Sequence, residues 1–178
     1  MILVRHGQSY FNLHYGTTRI DPGIRDPALT ELGRAQAASA AEALKVRGIK
    51  RLLVSPYTRT LETAQIIADI LGIPVTVEPL VRERAAFTCD IGTSRGELSR
   101  LWPHLSFAHL EEPWWHAGEE SEAALRLRCE RFRTAMAALA DWRAVGVVSH
   151  WGFIRALTGQ AIANGTHVDF DPTAELVK

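Results

Sequence analysis

Cysteine is scarce in this chain. Only Cys89 and Cys129 occur among 178 residues, so a disulfide-built scaffold is out of reach, and two free thiols are expected over one bridge. Net charge is missing as well, because 20 Lys and Arg balance 20 Asp and Glu. Bulk attraction to nucleic acid or to an anionic membrane is therefore not expected. No apolar run is long enough to cross a bilayer. The chain goes straight into a strand without a basic, apolar, cleavable leader. Internal repeats and low-complexity segments are absent too. What is present is 47% hydrophobic residues, enough for one domain with a sizeable core. The expectation is a cytoplasmic protein with one domain over residues 1–178, its oligomeric state left open.

The informative stretch is the beginning, Ile2-Leu3-Val4-Arg5-His6-Gly7. Three apolar residues, two of them β-branched, read as a buried strand. Gly7 then permits a sharp turn or a close approach to a ligand. Arg5 and His6 are thereby delivered to the C-terminal edge of a strand, where open α/β sheets hold their ligands. A histidine beside a permanently charged arginine is poorly placed for a metal cation and well placed for an anion. The guanidinium fork matches phosphate geometry in particular. The same positive charge lowers the imidazole pKa and favours its neutral, nucleophilic form.

Residues 13–29 read as a loop rich in Gly, Thr, Asp and Pro. A helix is expected from Thr30, a good N-cap, to about Gly48. A second strand spans 51–55, and Ser55-Pro56 reads as N-cap and first position of the next helix. Arg59 falls in that helix's opening turns, at the anion-attracting end of the dipole. A short strand covers 75–77. Residues 80–118 read as an excursion over the active site, mostly loop, with a short helix at 95–101. A long helix capped near Ser121 precedes a strand at 145–148 that ends in Ser149-His150. A helix from Trp151 to about Ala163 and an edge strand within 170–177 complete the pattern. Alternating strands and helices predict an α/β fold, a three-layer α/β/α sandwich around a mostly parallel sheet. Three strands then deliver Arg5 with His6, Arg59, and His150 to one sheet edge.

Four segments together resemble the histidine phosphatase superfamily with its phosphoglycerate mutase-like fold. They are Arg5-His6-Gly7 with Asn12 following, Asp26-Pro27-Ala28-Leu29-Thr30, Ser55-Pro56-Tyr57-Thr58-Arg59 through Ala64, and Val148-Ser149-His150-Trp151-Gly152. The resemblance runs from residue 2 to about 164. It implies that His6 carries the phosphoryl group as a phosphohistidine, while Arg5, Arg59 and His150 surround the phosphoryl oxygens. Asn12 would add a hydrogen bond, and amides near Trp151 would help bind the ester. It also implies no metal and no cofactor, since Arg and His supply the positive charge. The ligand would be a small-molecule phosphate ester, with no nucleic acid and no membrane as partner.

One branch of that superfamily places its general acid directly after the second histidine, where this chain has Trp151. The other places a glutamate after the third strand, and Glu83 fits. Glu83 could also merely pair with Arg82 or Arg84, and Asp90 is the reserve candidate. The cofactor-dependent mutases are longer and carry an Arg-His-Tyr-Gly segment after the acid. Here Glu83-Arg84 is followed by Ala85-Ala86-Phe87-Thr88. The segment 89–93 with Trp114-Trp115 looks like phosphatase-type members. The expected activity is a metal-independent phosphomonoesterase, with the mutase as alternative and a non-catalytic phospholigand-binding protein as the alternative of another class. Trp114 and Trp115 could line a pocket or pack the excursion. Arg19 and Tyr57 could touch the substrate or be structural. The five remaining histidines (14, 104, 109, 116 and 167) lack metal-ligand spacing, and Ser9 lacks the context of a nucleophile.

Overall fold

The computed structural model describes residues 1–174. Five strands form one sheet: β1 (Ile2–Arg5), β2 (Arg51–Val54), β3 (Val75–Val77), β4 (Val145–Ser149) and β5 (His167–Asp169), in the order β3-β2-β4-β1-β5. The first four are parallel, and β5 runs antiparallel to β1. Helices α1 (Tyr10–Thr18), α2 (Glu31–Leu44), α3 (Thr58–Leu71), α4 (Arg95–Leu101), α5 (Glu122–Ala137) and α6 (Trp151–Thr158) complete it. The strands alternate between the two faces. Ile2, Val4, Leu52, Val54 and Val148 pack towards α2 and α3. Leu3, Leu53, Val145 and Val147 pack towards α5 and α6, with Phe132, Phe153 and Ile154. Burial on both faces explains why these strands are continuously apolar. The expected α/β/α sandwich is the architecture found.

The sequence reading needs correction at four places. Residues 13–29 are not all loop, because α1 occupies their first third. Ser9 and Asn12 close a capping box, with the Ser9 amide donating to Asn12 Oδ1 at 3.1 Å. Phe11 and Tyr15, one turn apart, stack with ring centroids 5.1 Å apart. Second, α3 starts at Thr58 and Ser55 is not its cap. The cap comes from a distant residue: Asp26 accepts from the Thr58 amide at 2.8 Å and the Thr58 hydroxyl at 2.9 Å. Third, α6 ends at Thr158, where Gly159 takes the left-handed conformation. Fourth, the last strand is 167–169. Phe170 still donates its amide to the Met1 carbonyl at 3.0 Å, but Pro172 has no amide hydrogen with which to extend the ladder. Residues 175–177 of the expected strand lie outside the described residues. Within residues 80–118, α4 is the short helix that the sequence predicts. Leu98, Phe107, Leu110 and Trp114 are buried in the same core cluster as Tyr57, Leu61 and Ala64.

Two glycines fix how the loop after β1 meets α2. A Cβ on Gly7 would lie 2.1 Å from the Gly33 carbonyl oxygen, and one on Gly33 would lie 2.1 Å from the Gln8 carbonyl oxygen. Both obstacles are backbone, so neither can yield cheaply. Gly33→Ala should therefore lower stability by about 1–3 kcal/mol, as overpacking does. Gly16→Ala, inside α1 and facing open space, should raise it by about 0.5–1 kcal/mol. Thermal or urea midpoints of the two variants check this contrast.

Candidate active site

The register of β1 against β4 pairs Arg5 with Ser149, so the residue after each, His6 and His150, emerges at the same sheet edge. Their ring centroids are 5.1 Å apart. Both are buried, at 3% and 0% exposure. The His6 Nδ1 lies 2.7 Å from the Gly7 carbonyl oxygen. A carbonyl only accepts, so Nδ1 carries the proton and Nε2 keeps its lone pair. The backbone amide of His6 donates to the Ser149 carbonyl at 3.0 Å. Asn164 donates to the His6 carbonyl at 3.1 Å and to Asn12 Oδ1 at 3.1 Å.

Two guanidinium groups flank this pair. Arg5 donates to the Ile162 carbonyl at 2.9 Å, and its Nε is buried without a partner. Arg59 is 3% exposed. It donates to the Cys89 carbonyl at 2.9 Å and to Asp90 Oδ1 at 3.1 Å, and it lies over the Tyr57 ring. Burial, reinforced by the charges of Arg59 and Arg5, holds the His6 pKa well below its ordinary value. Burial, Arg59 and His6 do the same for His150. Both rings are thus neutral at neutral pH.

Glu83 is brought to the same edge by the turn after β3. Its Oε1 accepts from the Arg84 amide at 2.8 Å and the Phe153 amide at 3.1 Å, and Oε2 from the Gly152 amide at 3.1 Å. The contact with the start of α6 depends on Gly152, where a Cβ would stand 2.5 Å from Oε1. Burial and the Asp90 charge raise the Glu83 pKa above its ordinary value, against the pull of these amides. The alternative of a surface pairing with Arg82 or Arg84 is not what the structure contains. Arg82 and Arg84 reach Glu120 and Glu119 instead. Asp90 is saturated: Oδ2 accepts from the Ala86 and Phe87 amides, and Oδ1 from Arg59 and the Cys89 thiol.

The other candidates take various places around this edge. Asn12 turns its Oδ1 into the capping box of α1. The Trp151 side chain is 39% exposed under Arg155. Tyr57 is fully buried, its hydroxyl on the Asp90 carbonyl at 2.6 Å and its ring edge-on to His150. Trp114 packs on Tyr57, donates to the Thr93 carbonyl and sits against Gly92. Arg19 ends α1 in the left-handed conformation.

Sequence reasoning missed the supports. Arg128 forms a buried bidentate pair with Glu120, at 2.9 and 2.5 Å, and also donates to the Leu80 and Arg82 carbonyls. That anchors the segment that presents Glu83. The two partners lie on either side of the Ser121 cap, and nothing in their spacing announces a pair.

Two neutral histidines at a strand edge, flanked by arginines and a raised carboxyl, define a phosphoryl-handling α/β enzyme. The family is settled by comparison: the model of the histidine phosphatase superfamily (branch 1) matches residues 1–173, and the chain belongs to it. Glucosyl-3-phosphoglycerate phosphatase of Mycolicibacterium vanbaalenii is 30% identical over 166 residues, 89% of this chain and 72% of that protein. The Yersinia enterocolitica protein named "Probable phosphoglycerate mutase GpmB" is 37% identical over 83 residues, 47% of this chain and 37% of that protein. Among solved structures, a mycobacterial glucosyl-3-phosphoglycerate phosphatase with VO3 superposes with a TM-score of 0.66 at 24% identity, covering 94% of this chain and 88% of that one. The ecdysone phosphate phosphatase of Bombix mori with tungstate gives 0.64 at 21%, covering 89% and 75%. These two likenesses concern the fold.

The depressed histidine pKa values link to stability. The folded chain refuses protons on His6 and His150 that the unfolded chain accepts near 6.5. Their contribution is complete above that value and is lost as pH falls towards the folded values. Stability should therefore drop between about pH 6.5 and 5, each ring adding a slope of up to about 1.4 kcal/mol per pH unit. Urea midpoints measured across this range should show a shallower fall in His150→Gln than in the wild type.

Proposed function

We propose that this chain is a metal-independent phosphomonoesterase that works through a phosphohistidine on His6. The observation that carries the reading is the Gly7 carbonyl on His6 Nδ1. It leaves a lone pair on Nε2 and stabilises the imidazolium that forms when Nε2 bonds to phosphorus. Arg5, Arg59 and His150 surround the phosphoryl oxygens and offset their charge in the transition state. As Nε2 attacks, the bond from phosphorus to the ester oxygen breaks, and the leaving oxygen takes the proton of the Glu83 carboxyl. An arriving phosphate adds negative charge beside Glu83 and pushes its pKa further up. The Glu83 carboxylate then takes a proton from water as that water attacks phosphorus. The nitrogen–phosphorus bond breaks, and His6 and protonated Glu83 are restored.

Glu83 fills the acid role better than Asp90, whose oxygens are committed to Arg59 and three further donors. Asn12 can still offer its amide nitrogen to the phosphate, and the Trp151 amide lies at the open start of α6. The Trp151 side chain has no part in this scheme. The substrate class is a small phosphorylated metabolite. The substrate named for the Mycolicibacterium relative belongs to that class, and that relative aligns over most of this chain. The similarity to the GpmB protein covers under half of the chain, so the mutase reading has the weaker support.

Release of phosphate from p-nitrophenyl phosphate should persist in EDTA and vanish in His6→Ala; loss of wild-type turnover in EDTA would overturn metal independence. Release confined to a bisphosphorylated primer, alongside isomerisation of a phosphoglycerate, would instead establish the mutase. Glu83→Gln should lower kcat on an alkyl phosphate by about 10²–10⁴-fold. On p-nitrophenyl phosphate, whose leaving group hardly needs a proton, the first burst of p-nitrophenol should survive in Glu83→Gln, while steady turnover, which needs Glu83 as base for the water, should fall.

A further inference from the structure

Ser55 reads in the sequence as a helix cap, yet its hydroxyl caps nothing. It is fully buried, and its Oγ lies 2.7 Å from His150 Nε2. Among the described residues this ring nitrogen is the only hydrogen-bond partner of that hydroxyl. On the other side of the same ring, His150 Nδ1 is buried without any partner.

We propose that Ser55 sets the tautomer of His150, so that the ring presents an Nδ1–H donor to the phosphoryl oxygens. This rests on the phosphatase reading of the site, which supplies the anion. Donors and acceptors decide the matter. If the Ser55 hydroxyl donates to Nε2, the hydroxyl and Nε2 are both satisfied, and Nδ1 carries the ring's proton. One donor is then left over, which an anion can take. If Nε2–H donated to Ser55 instead, the buried hydroxyl hydrogen would have no acceptor, and Nδ1 would turn a lone pair towards the incoming negative charge. Two buried groups would be orphaned in place of one, and one of them would repel the ligand. The imidazolium is disfavoured where the ring is buried beside Arg59.

The two histidines thus carry their proton on the same nitrogen and do opposite work. Gly7 occupies the proton of His6 and leaves a lone pair for attack. Ser55 occupies the lone pair of His150 and leaves a proton for binding. The fold produces this by continuing the sheet beyond its strands: the Ser55 amide donates to the Val148 carbonyl at 3.2 Å, which sets the ends of β2 and β4 side by side. Ser55 is a positioning residue, since it acts on the phosphoryl group only through His150.

Nitrogen NMR of the wild type labelled at histidine, assigned with His150→Gln, reads the tautomer without any turnover. At neutral pH the expected His150 spectrum has a protonated Nδ1 and an unprotonated Nε2. An unprotonated Nδ1, or a doubly protonated ring, overturns the proposal. In Ser55→Ala the ring should become a mixture of tautomers, inorganic phosphate should bind more weakly, and kcat/KM should fall by about tenfold, the size of one lost hydrogen bond. Thr60→Ala is the control, because Thr60 donates to the Ser55 carbonyl and not to the ring; it should leave the tautomer unchanged. A single tautomer retained in Ser55→Ala overturns the role of Ser55. A wild type that hydrolyses no phosphate ester but shows the expected spectrum would sink the phosphatase reading and spare the tautomer.

Discussion

Arg5 pairs with Ser149 across the parallel ladder of β1 and β4, and the histidine that follows each of them inherits that neighbourhood. Everything chemical in the molecule depends on this register. A slip of one residue would turn Leu3 and Val4 to the wrong faces and carry His6 away from His150. The register is held from both sides: α2 and α3 cover one face, α5 and α6 the other. Beyond the strand end, the contact of Gly7 with Gly33 holds the emerging loop against α2. The strands are short, so the order at the site comes from the packing around them more than from the ladder itself.

The charged groups fall into two sets. Arg5 and Arg59 face the histidines and depress their basicity. The carboxylates divide by environment. Asp90 is consumed in holding Arg59 and the turn at 86–90, whereas Glu83 bonds only to backbone amides and keeps a raised pKa. A second buried pair, Glu120 with Arg128, fixes the segment from which Glu83 projects. Removing one member of such a pair leaves a charge with no partner and is costly. These ion pairs therefore position other groups, and their net contribution to stability is secondary.

The layered α/β/α architecture and the edge that gathers Arg5, His6, Arg59 and His150 were legible in the sequence, because strand patterns and local motifs carry them; the strand order was not. Glu83 was singled out only through the family resemblance, since nothing in its own neighbourhood of charged residues distinguishes it. What was not legible came from contacts between distant segments. Asp26 caps α3 across the fold, which freed Ser55 from the capping role its neighbours suggested. Helix α1 hides in a segment rich in loop-forming residues, because its start depends on one side-chain pairing between Ser9 and Asn12. Trp114 and Trp115 offered a choice between pocket and packing. For Trp114, burial against Tyr57 and Gly92 decides for packing.

The position of β1 in the sheet has a consequence for synthesis. The nucleophile candidate follows β1, whose neighbours in the sheet are β4 and β5, made after the other strands of the described residues. During translation β1 has no partner until β4 (Val145–Ser149) has left the ribosome, and closing so long a loop is slow. A nascent chain therefore carries Arg5 and His6 without His150 and without a sheet edge to hold them. A chain interrupted before β4 carries His6 but not the edge that sets it beside His150.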